Sequence, residues 1–408
     1  MKVLIVGSSK LPIPAVKGGA VPSLIEELIQ QNEIEKKIDL SCISLFDGEA
    51  AEGSKKYPNT EFIWAKTPKW AKAFDKFNYF VLKKIFHVKR LLSLAYVWQI
   101  YTLGKFTGKI LKKGDYDRVV FENSVPVLLA MKSRKNAKKY AGKYYLHMHA
   151  VPRQYYGNKK QVQNVKKLIT VSDYVSKTIT GDPRLNMGID RTVVMRNCVD
   201  QVLFHPQDQT VSKKIRETLN IPEDKKIVMF VGRLCADKGI SELVDAFKKL
   251  NRDDAVLVIV GANFYKSGIV SPFEEQLKER MKDIKDKVVF TGYVDYSVIS
   301  QYYAAADVMV LPSIWEEPAG MTVLEAMACG KALITTDSGG IPEYVGEDNC
   351  IVIKRGGNNI ADKIWGGMTK LLDNPDERER LGERAAKHIA KYNKEFYYAQ
   401  LLDILKQE

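Results

Sequence analysis

Two glutamates stand eight residues apart in the stretch WEEPAGMTVLEAMACG, Trp315–Gly330, on either side of a Pro-Ala-Gly break. On one unbroken helix they would share a face about 12 Å apart, at 1.5 Å per residue. Pro318 and Gly320 argue against that continuity. The spacing instead predicts Glu317 on a tight loop, a helix beginning near Gly320 with Glu325 in its second turn, and Gly330 as the C-cap glycine. Such a turn offers two carboxylates to hydroxyl groups. It also offers the backbone amides of Ala319, Gly320 and Met321 to an anion, because a helix N-terminus leaves N–H groups unpaired. The plainer alternative makes Glu325 an exposed helix residue and Glu317 a first-turn acid complementing the macrodipole.

Three further stretches carry chemistry. In VGRLCADKGI, 231–240, a strand ends at Gly232 and the next loop presents Arg233 and Lys238. A planar guanidinium fork and a compact ammonium together suit a diphosphate; two solvated surface cations are the alternative. In PAVKGGAVPSLIEEL, 14–28, Gly18 and Gly19 directly precede a helix and let the backbone approach a phosphate or sugar, although a plain turn reads equally well. In HMHAVPR, 147–153, His147 and His149 fall on one face of a strand. Two imidazoles at that spacing could ligate a metal, but no nearby carboxylate or cysteine completes a site. The pair therefore reads as a satisfied core histidine and a site histidine, His149, nearer the strand end; no metal is expected.

Charge is concentrated. The chain carries a formal +14, and between Trp64 and Lys113 there are twelve Lys and Arg against one acid, Asp75, a local net of +11. At 100° per residue Phe74, Phe77, Val81, Ile85, Val88 and Leu92 form one helical face, while Lys72, Lys76, Lys83 and Arg90 gather opposite, flanked by Phe80 and Phe86. Lysines accompanied by aromatics suit an anionic membrane surface. A solvated face is the alternative, and nucleic acid is not expected because no recognition motif accompanies the charge. Five scattered cysteines without a C-x-x-C pair favour a reducing compartment. No apolar run reaches 18 residues, so no spanning helix is expected.

The elements that must position these residues read as an α/β chain. Short apolar runs at 3–7, 119–121, 144–150 and 166–172, then at 226–232, 255–261, 287–294, 307–313 and 331–336, alternate with helical stretches. Such alternation means parallel sheets built from βαβ units. At 408 residues two cores are expected, with a break near Phe204–Pro206. The predicted units are 1–204 and 205–387, with a terminal amphipathic helix at about 388–408 packing back on the first. Ligands in such sheets bind beyond the C-terminal strand ends, where Gly7, Gly232, Gly261 and Ser313 fall, so the functional loops are expected to face a cleft between two domains.

In order, the Gly-Gly loop, His149, NCVD…F.P, VGRL…KG, E-x7-E with EAMACG, and SGGIPEYV resemble the retaining glycosyltransferase family numbered four, over nearly the whole chain. The resemblance implies a GT-B fold: two doubly wound Rossmann-like domains facing across a cleft, acceptor bound mainly by the first and nucleotide-sugar by the second. It implies Arg233 and Lys238 on the donor diphosphate, Glu325 on the ribose, Glu317 and the amides of Ala319, Gly320 and Met321 beside the donor sugar, His149 at the reacting carbon and Gly19 near the diphosphate. It further implies a metal-independent, retaining transfer from a nucleotide-sugar, UDP-sugar favoured, to a saccharide or lipid-linked acceptor. Together with the basic, aromatic stretch it leads us to expect assembly of bacterial cell-surface polysaccharide or glycolipid, in the cytoplasm and peripheral on the inner membrane face. Asn197-Cys198-Val199-Asp200 replaces the usual N-G-V-D, and Ala319 stands where an aromatic is common. A sugar-nucleotide epimerase on the same scaffold and a catalytically silent, membrane-docked partner of a glycosylation complex are the rival readings. The first would isomerise its substrate without an acceptor; the second has no use for the full set of six site residues.

Overall fold

A computed structural model describes residues 1–66, 94–262, 272–357 and 359–407. The chain forms two compact units, Met1–Asn197 with Lys394–Glu408, and Cys198–Asn393. The basic helix read from the sequence, with Lys72, Lys76, Lys83 and Arg90, lies outside the described residues.

The first unit is built on seven parallel strands: β1 Lys2–Val6, β2 Asp39–Leu45, β3 Thr60–Ala65, β4 Arg118–Glu122, β5 Tyr144–Met148, β6 Leu168–Thr170 and β7 Thr192–Val194, in the order β3-β2-β1-β4-β5-β6-β7. Uninterrupted apolar runs such as KVLIV and VVF are buried on both faces, as parallel strands covered by helices require. The second unit repeats the plan with six strands: β8 Lys226–Val231, β9 Ala255–Val260, β10 Val288–Gly292, β11 Val308–Leu311, β12 Leu333–Thr336 and β13 Ile351–Ile353, in the order β10-β9-β8-β11-β12-β13. In each sheet the strand order reverses beside the first strand, between β1 and β4 and between β8 and β11. Such a switch point opens a crevice at the carboxyl ends of the two strands.

The helices bury apolar stripes on these sheets. In Ile240–Leu250, Ile240, Leu243, Val244, Phe247 and Leu250 recur at helical spacing and are all buried. The helix Lys394–Lys406 belongs to the first unit, where Asn32 anchors it. The fully buried Asn32 amide bonds both the N–H and the carbonyl of Ile38, and the Tyr398 hydroxyl donates to its Oδ1 at 2.5 Å. Phe204, placed by sequence pattern at the break, packs edge-on against Tyr296 and Tyr303 within the second unit. Four strands have no counterpart in the sequence reading: β2, β3, β7 and β13. Polar residues interrupt β2 (DLSCISL), β7 and β13 have three residues each, and β3, β7 and β13 are sheet edges.

Candidate active site

The second unit gathers its chemistry on the loops after β8 and β11. After β8, Gly232 leads to Arg233 and a single 3-10 turn, Ala236–Lys238, closed by Gly239 at φ 68°. That positive φ, and a Cβ that would sit 1.9 Å from the Pro312 carbonyl oxygen, make glycine obligatory where the two loops touch. The Asp237 carbonyl then accepts from the amides of Ile314 and Trp315 at 3.0 and 3.1 Å and from Ser313 Oγ at 3.0 Å. This ties the β11 loop to the β8 loop.

Lys238 and Glu317 meet at this junction. Lys238 Nζ is 2.5 Å from Glu317 Oε1, which also accepts from Ser313 Oγ at 2.9 Å. The pair is partly screened from water, the side chains being 23% and 12% exposed. The Glu317 backbone is held by a second latch, its amide donating to Ser338 Oγ at 3.1 Å and its carbonyl accepting from Gly340 at 2.7 Å. Gly339, at φ 51°, approaches so closely that a Cβ would lie 2.2 Å from the Glu317 oxygen. Glu316 faces the other way, to Arg355 at 2.7 Å and the Gly339 amide at 2.7 Å. The SGG of SGGIPEYV is therefore the device that fixes the Glu317 turn.

Gly320, at φ 72°, is the N-cap of the helix Met321–Ala328, as the spacing predicts. Lys238, Ser313, Glu317, Gly320 and Thr322 line one depression floored by Phe230. An ammonium, a carboxylate, a hydroxyl and a helix N-terminus in one depression can hold an anion beside hydroxyl groups. Two of the three N–H bonds of Lys238 remain for a ligand after the bond to Glu317. Arg233 is exposed; its carbonyl accepts from the Cys235 amide at 3.0 Å, and its side chain makes no hydrogen bond or ion pair to a described residue. Ala319 is buried.

Glu325 is not in that depression. It is 6% exposed and accepts from the buried Tyr303 hydroxyl at 2.8 Å. Burial pushes its carboxyl up to about 7 against the opposing effect of that hydrogen bond. The eight-residue spacing is thus read correctly as loop plus helix, but it separates the two acids into different environments. No motif announced Tyr303, which reaches Glu325 from the helix Ile299–Ala305.

In the first unit Gly18 and Gly19, at φ 66° and 101°, precede the helix Ala20–Glu35 as expected. A Cβ on Gly19 would meet Leu11 at 2.6 Å, whereas Gly18 has open space around it. At the ends of β4 and β5 the structure corrects the histidine reading. Glu122 is in register with His147 on the neighbouring strand and supplies the carboxylate that no nearby residue offered. Its Oε2 lies 3.1 Å from His147 Nδ1 and 3.0 Å from His149 Nε2. The two rings stand 4.1 Å apart between centroids. His147 is fully buried and the His149 side chain only 6% exposed. Burial alone would raise the Glu122 carboxyl, but the two imidazoles hold it down at about 2. Burial, then the neighbouring His147, pushes His149 down to about 4. One donor atom from each of the three residues lies within 4.8 Å of the others, close enough for a metal ion. Metal-binding imidazoles use their second nitrogen on an outer-shell partner. Here His147 Nε2 and His149 Nδ1 are both buried without one, so the cluster is read as a hydrogen-bonded network.

Residues 211–388 match the family described as glycosyl transferases group 1. That segment belongs to this family. Along the whole chain, the spore coat protein SA of Bacillus subtilis is 26% identical over 393 residues, covering 94% of this chain and 93% of the relative. The lipopolysaccharide 1,2-N-acetylglucosaminetransferase of Salmonella typhimurium is 30% identical over 191 residues, 46% of this chain and 48% of that one. The crystal structure of Anabaena HepE in complex with UDP and glucose superposes over 100% of both chains with a TM-score of 0.71 at 17% identity. That likeness establishes the GT-B fold. The depression beside Lys238 and Glu317 lies within the segment that matches glycosyl transferases group 1.

Proposed function

We propose that this protein is a retaining glycosyltransferase that moves a sugar from a nucleotide diphosphate, UDP-sugar favoured, to a saccharide or lipid-linked acceptor in bacterial cell-surface polysaccharide or glycolipid assembly. The observation that carries the reading is the Lys238–Glu317–Ser313 cluster at the strand-order reversal of the second unit. The diphosphate takes the free N–H bonds of Lys238 and the exposed fork of Arg233, while Glu317 aligns Lys238 and meets sugar hydroxyls. Ala319, Gly320 and Met321 turn the chain at the sugar. Glu325 takes the ribose, leaving Tyr303 bonded to one oxygen. The UDP preference draws on HepE, whose complex holds UDP and glucose.

The bond from the anomeric carbon to the diphosphate oxygen breaks as the bond to the acceptor oxygen forms on the same face, and the acceptor proton passes to the departing diphosphate. Lys238 and Arg233 stabilise the charge that develops there, which is where fixed cations act most strongly. This assigns the leaving-group charge to side chains rather than to a metal. Within the first unit, His149 is the sugar-binding residue and Gly18–Gly19 the turn that lets the backbone approach a phosphate.

The acceptor is presented at an anionic membrane surface, with the enzyme peripheral on its cytoplasmic side. Among the described residues no helix is long and apolar enough to cross a membrane. The helix Leu94–Lys113 exposes Val97, Trp98 and Tyr101 and carries Lys105 over the Tyr101 ring at 5.5 Å, followed by Lys109, Lys112 and Lys113, with no acid along its length. Aromatics and lysines on the exposed face of one helix fit a headgroup layer.

The test is transfer and donor binding across UDP-, GDP-, ADP- and dTDP-sugars for the wild type, Lys238→Ala and Glu317→Gln. Loss of sugar transfer with retained folding is expected in both variants. Normal turnover in either would overturn the assignment, and isomerisation of the donor without acceptor would replace it with an epimerase.

A further inference from the structure

We propose that Glu122, a residue outside every motif of the sequence, is the positioning residue for His149, fixing its ring as the Nε2–H tautomer and leaving Nδ1 as a bare acceptor for a saccharide hydroxyl. The saccharide ligand rests on the proposed function; the tautomer does not.

The inference begins with register. Glu122 closes β4 and pairs with His147 on β5, and His149 lies two residues further on, so all three side chains share one face at the carboxyl end of the sheet. That end, beside the strand-order reversal, is where doubly wound sheets bind ligands. The positions beyond both strands are fixed by the backbone as well. Asn123, at φ 47°, accepts from the His149 amide through Oδ1 at 3.1 Å, and its own amide donates to the His147 carbonyl at 2.7 Å.

An ionised carboxylate only accepts hydrogen bonds. A ring nitrogen 3.0 Å from Glu122 Oε2 must therefore carry its proton, which places the N–H of His149 on Nε2. His147 Nδ1 donates to the same carboxylate and holds it from the other side. A second proton on His149 would sit at Nδ1, which is buried and has no acceptor, and a charged ring there would face His147 at 4.1 Å. Both effects exclude it, so His149 is neutral with a lone pair on Nδ1. A lone pair without a donor is left unsatisfied there, and a ligand hydroxyl satisfies it.

The experiment uses the full chain labelled with ¹⁵N-histidine and long-range ¹H–¹⁵N correlation at pH 7, with His149 assigned by its loss in His149→Gln. The wild type is expected to show a neutral His149 protonated at Nε2. In Glu122→Gln the carboxamide can donate, so the ring is expected to shift toward the Nδ1–H form. Transfer by this variant should fall in kcat on the order of tenfold or more, as a wrong tautomer does at other catalytic histidines, while donor KM stays within about twofold. A wild-type His149 that is protonated on Nδ1, or on both nitrogens, overturns the proposal whatever the variant does. So does a folded Glu122→Gln protein with unchanged tautomer. Normal turnover in His149→Ala overturns the role of His149 in transfer, and with it the saccharide ligand, while the tautomer measurement still decides the role of Glu122.

Discussion

Glu325→Gln gives a sharp pH test, because the wild-type carboxyl is buried against Tyr303 with a proton affinity far from that of an exposed acid. Its folded value is about 7 against 4.5 for the ordinary group. A raised value means that the folded state holds the proton more tightly. Below about pH 4.5 the group is protonated in both states and folding is unpenalised; as pH rises toward 7, the unfolded state ionises first and stability falls. At 1.36 kcal/mol per unit the full penalty is roughly 3 kcal/mol, and roughly 2.5 kcal/mol of it develops between pH 5 and pH 8. Glutamine keeps an oxygen for Tyr303 and does not titrate. The wild type should therefore lose stability relative to Glu325→Gln by that amount on going from pH 5 to pH 8, which is about 5–10 °C in the midpoint for a unit of this size. The assay is thermal unfolding of both proteins across that range, followed by a signal from the second unit and compared as a difference so that other titrating groups cancel. If the two proteins respond to pH in parallel, Glu325 is not held at a raised value and its burial against Tyr303 is misread.

Other consequences follow from the same geometry. Lys238→Ala and Glu317→Ala should each lower turnover on the order of a hundredfold in transfer assays, since each removes one preorganised electrostatic contact. Gly239→Ala forces a Cβ to 1.9 Å from the Pro312 oxygen at a positive φ. It should destabilise the second unit by roughly 1–3 kcal/mol and weaken nucleotide binding, both read by thermal shift with and without UDP. Tyr398→Phe removes the bond to Asn32 that anchors the last helix; denaturant unfolding of the first unit should show a loss of about 1–2 kcal/mol. Replacing Lys105, Lys109 and Lys112 with glutamine should weaken sedimentation with anionic vesicles by roughly 1 kcal/mol per cation at low salt. The wild-type binding should itself fade as salt is raised.

The structure divides the site into a part that was visible in the sequence and a part that was not. Glu317 on a loop, the helix from Met321 and the Gly18–Gly19 turn were legible because glycine and proline impose backbone conformations that depend on little beyond their neighbours. Lys238 was legible as a cation, but its bond to Glu317 was not. That bond exists because β8 and β11 are neighbours in the sheet though far apart in sequence, and strand order is a property of the whole core. Glu122 was missed for the same reason. A carboxylate on β4 reaches two histidines on β5 only when the two strands pair in one register, and a shift by one residue would turn Glu122 to the opposite face. Tyr303 beneath Glu325 is the equivalent case between two helices.

The two kinds of residue also differ in what they can do for catalysis. The legible ones hold backbone or present charge, and their effect is largely local. The illegible ones are partners: Tyr303 to Glu325, Ser313 to Glu317, Glu122 to His149. Each bears on the protonation or direction of its partner, Tyr303 and Glu122 from a separate element of the fold and Ser313 from the same loop as Glu317. Ser313 and Lys238 both bond the same Glu317 oxygen, so the carboxylate is directed by β11 and by β8 at once, and neither loop alone can misplace it. Removing the hydroxyl therefore leaves Glu317 with its ion pair and its latch to Ser338 and Gly340, whereas removing Lys238 takes away the charge as well as the direction. This is why the cation, not the hydroxyl, is the residue on which the proposed transfer stands.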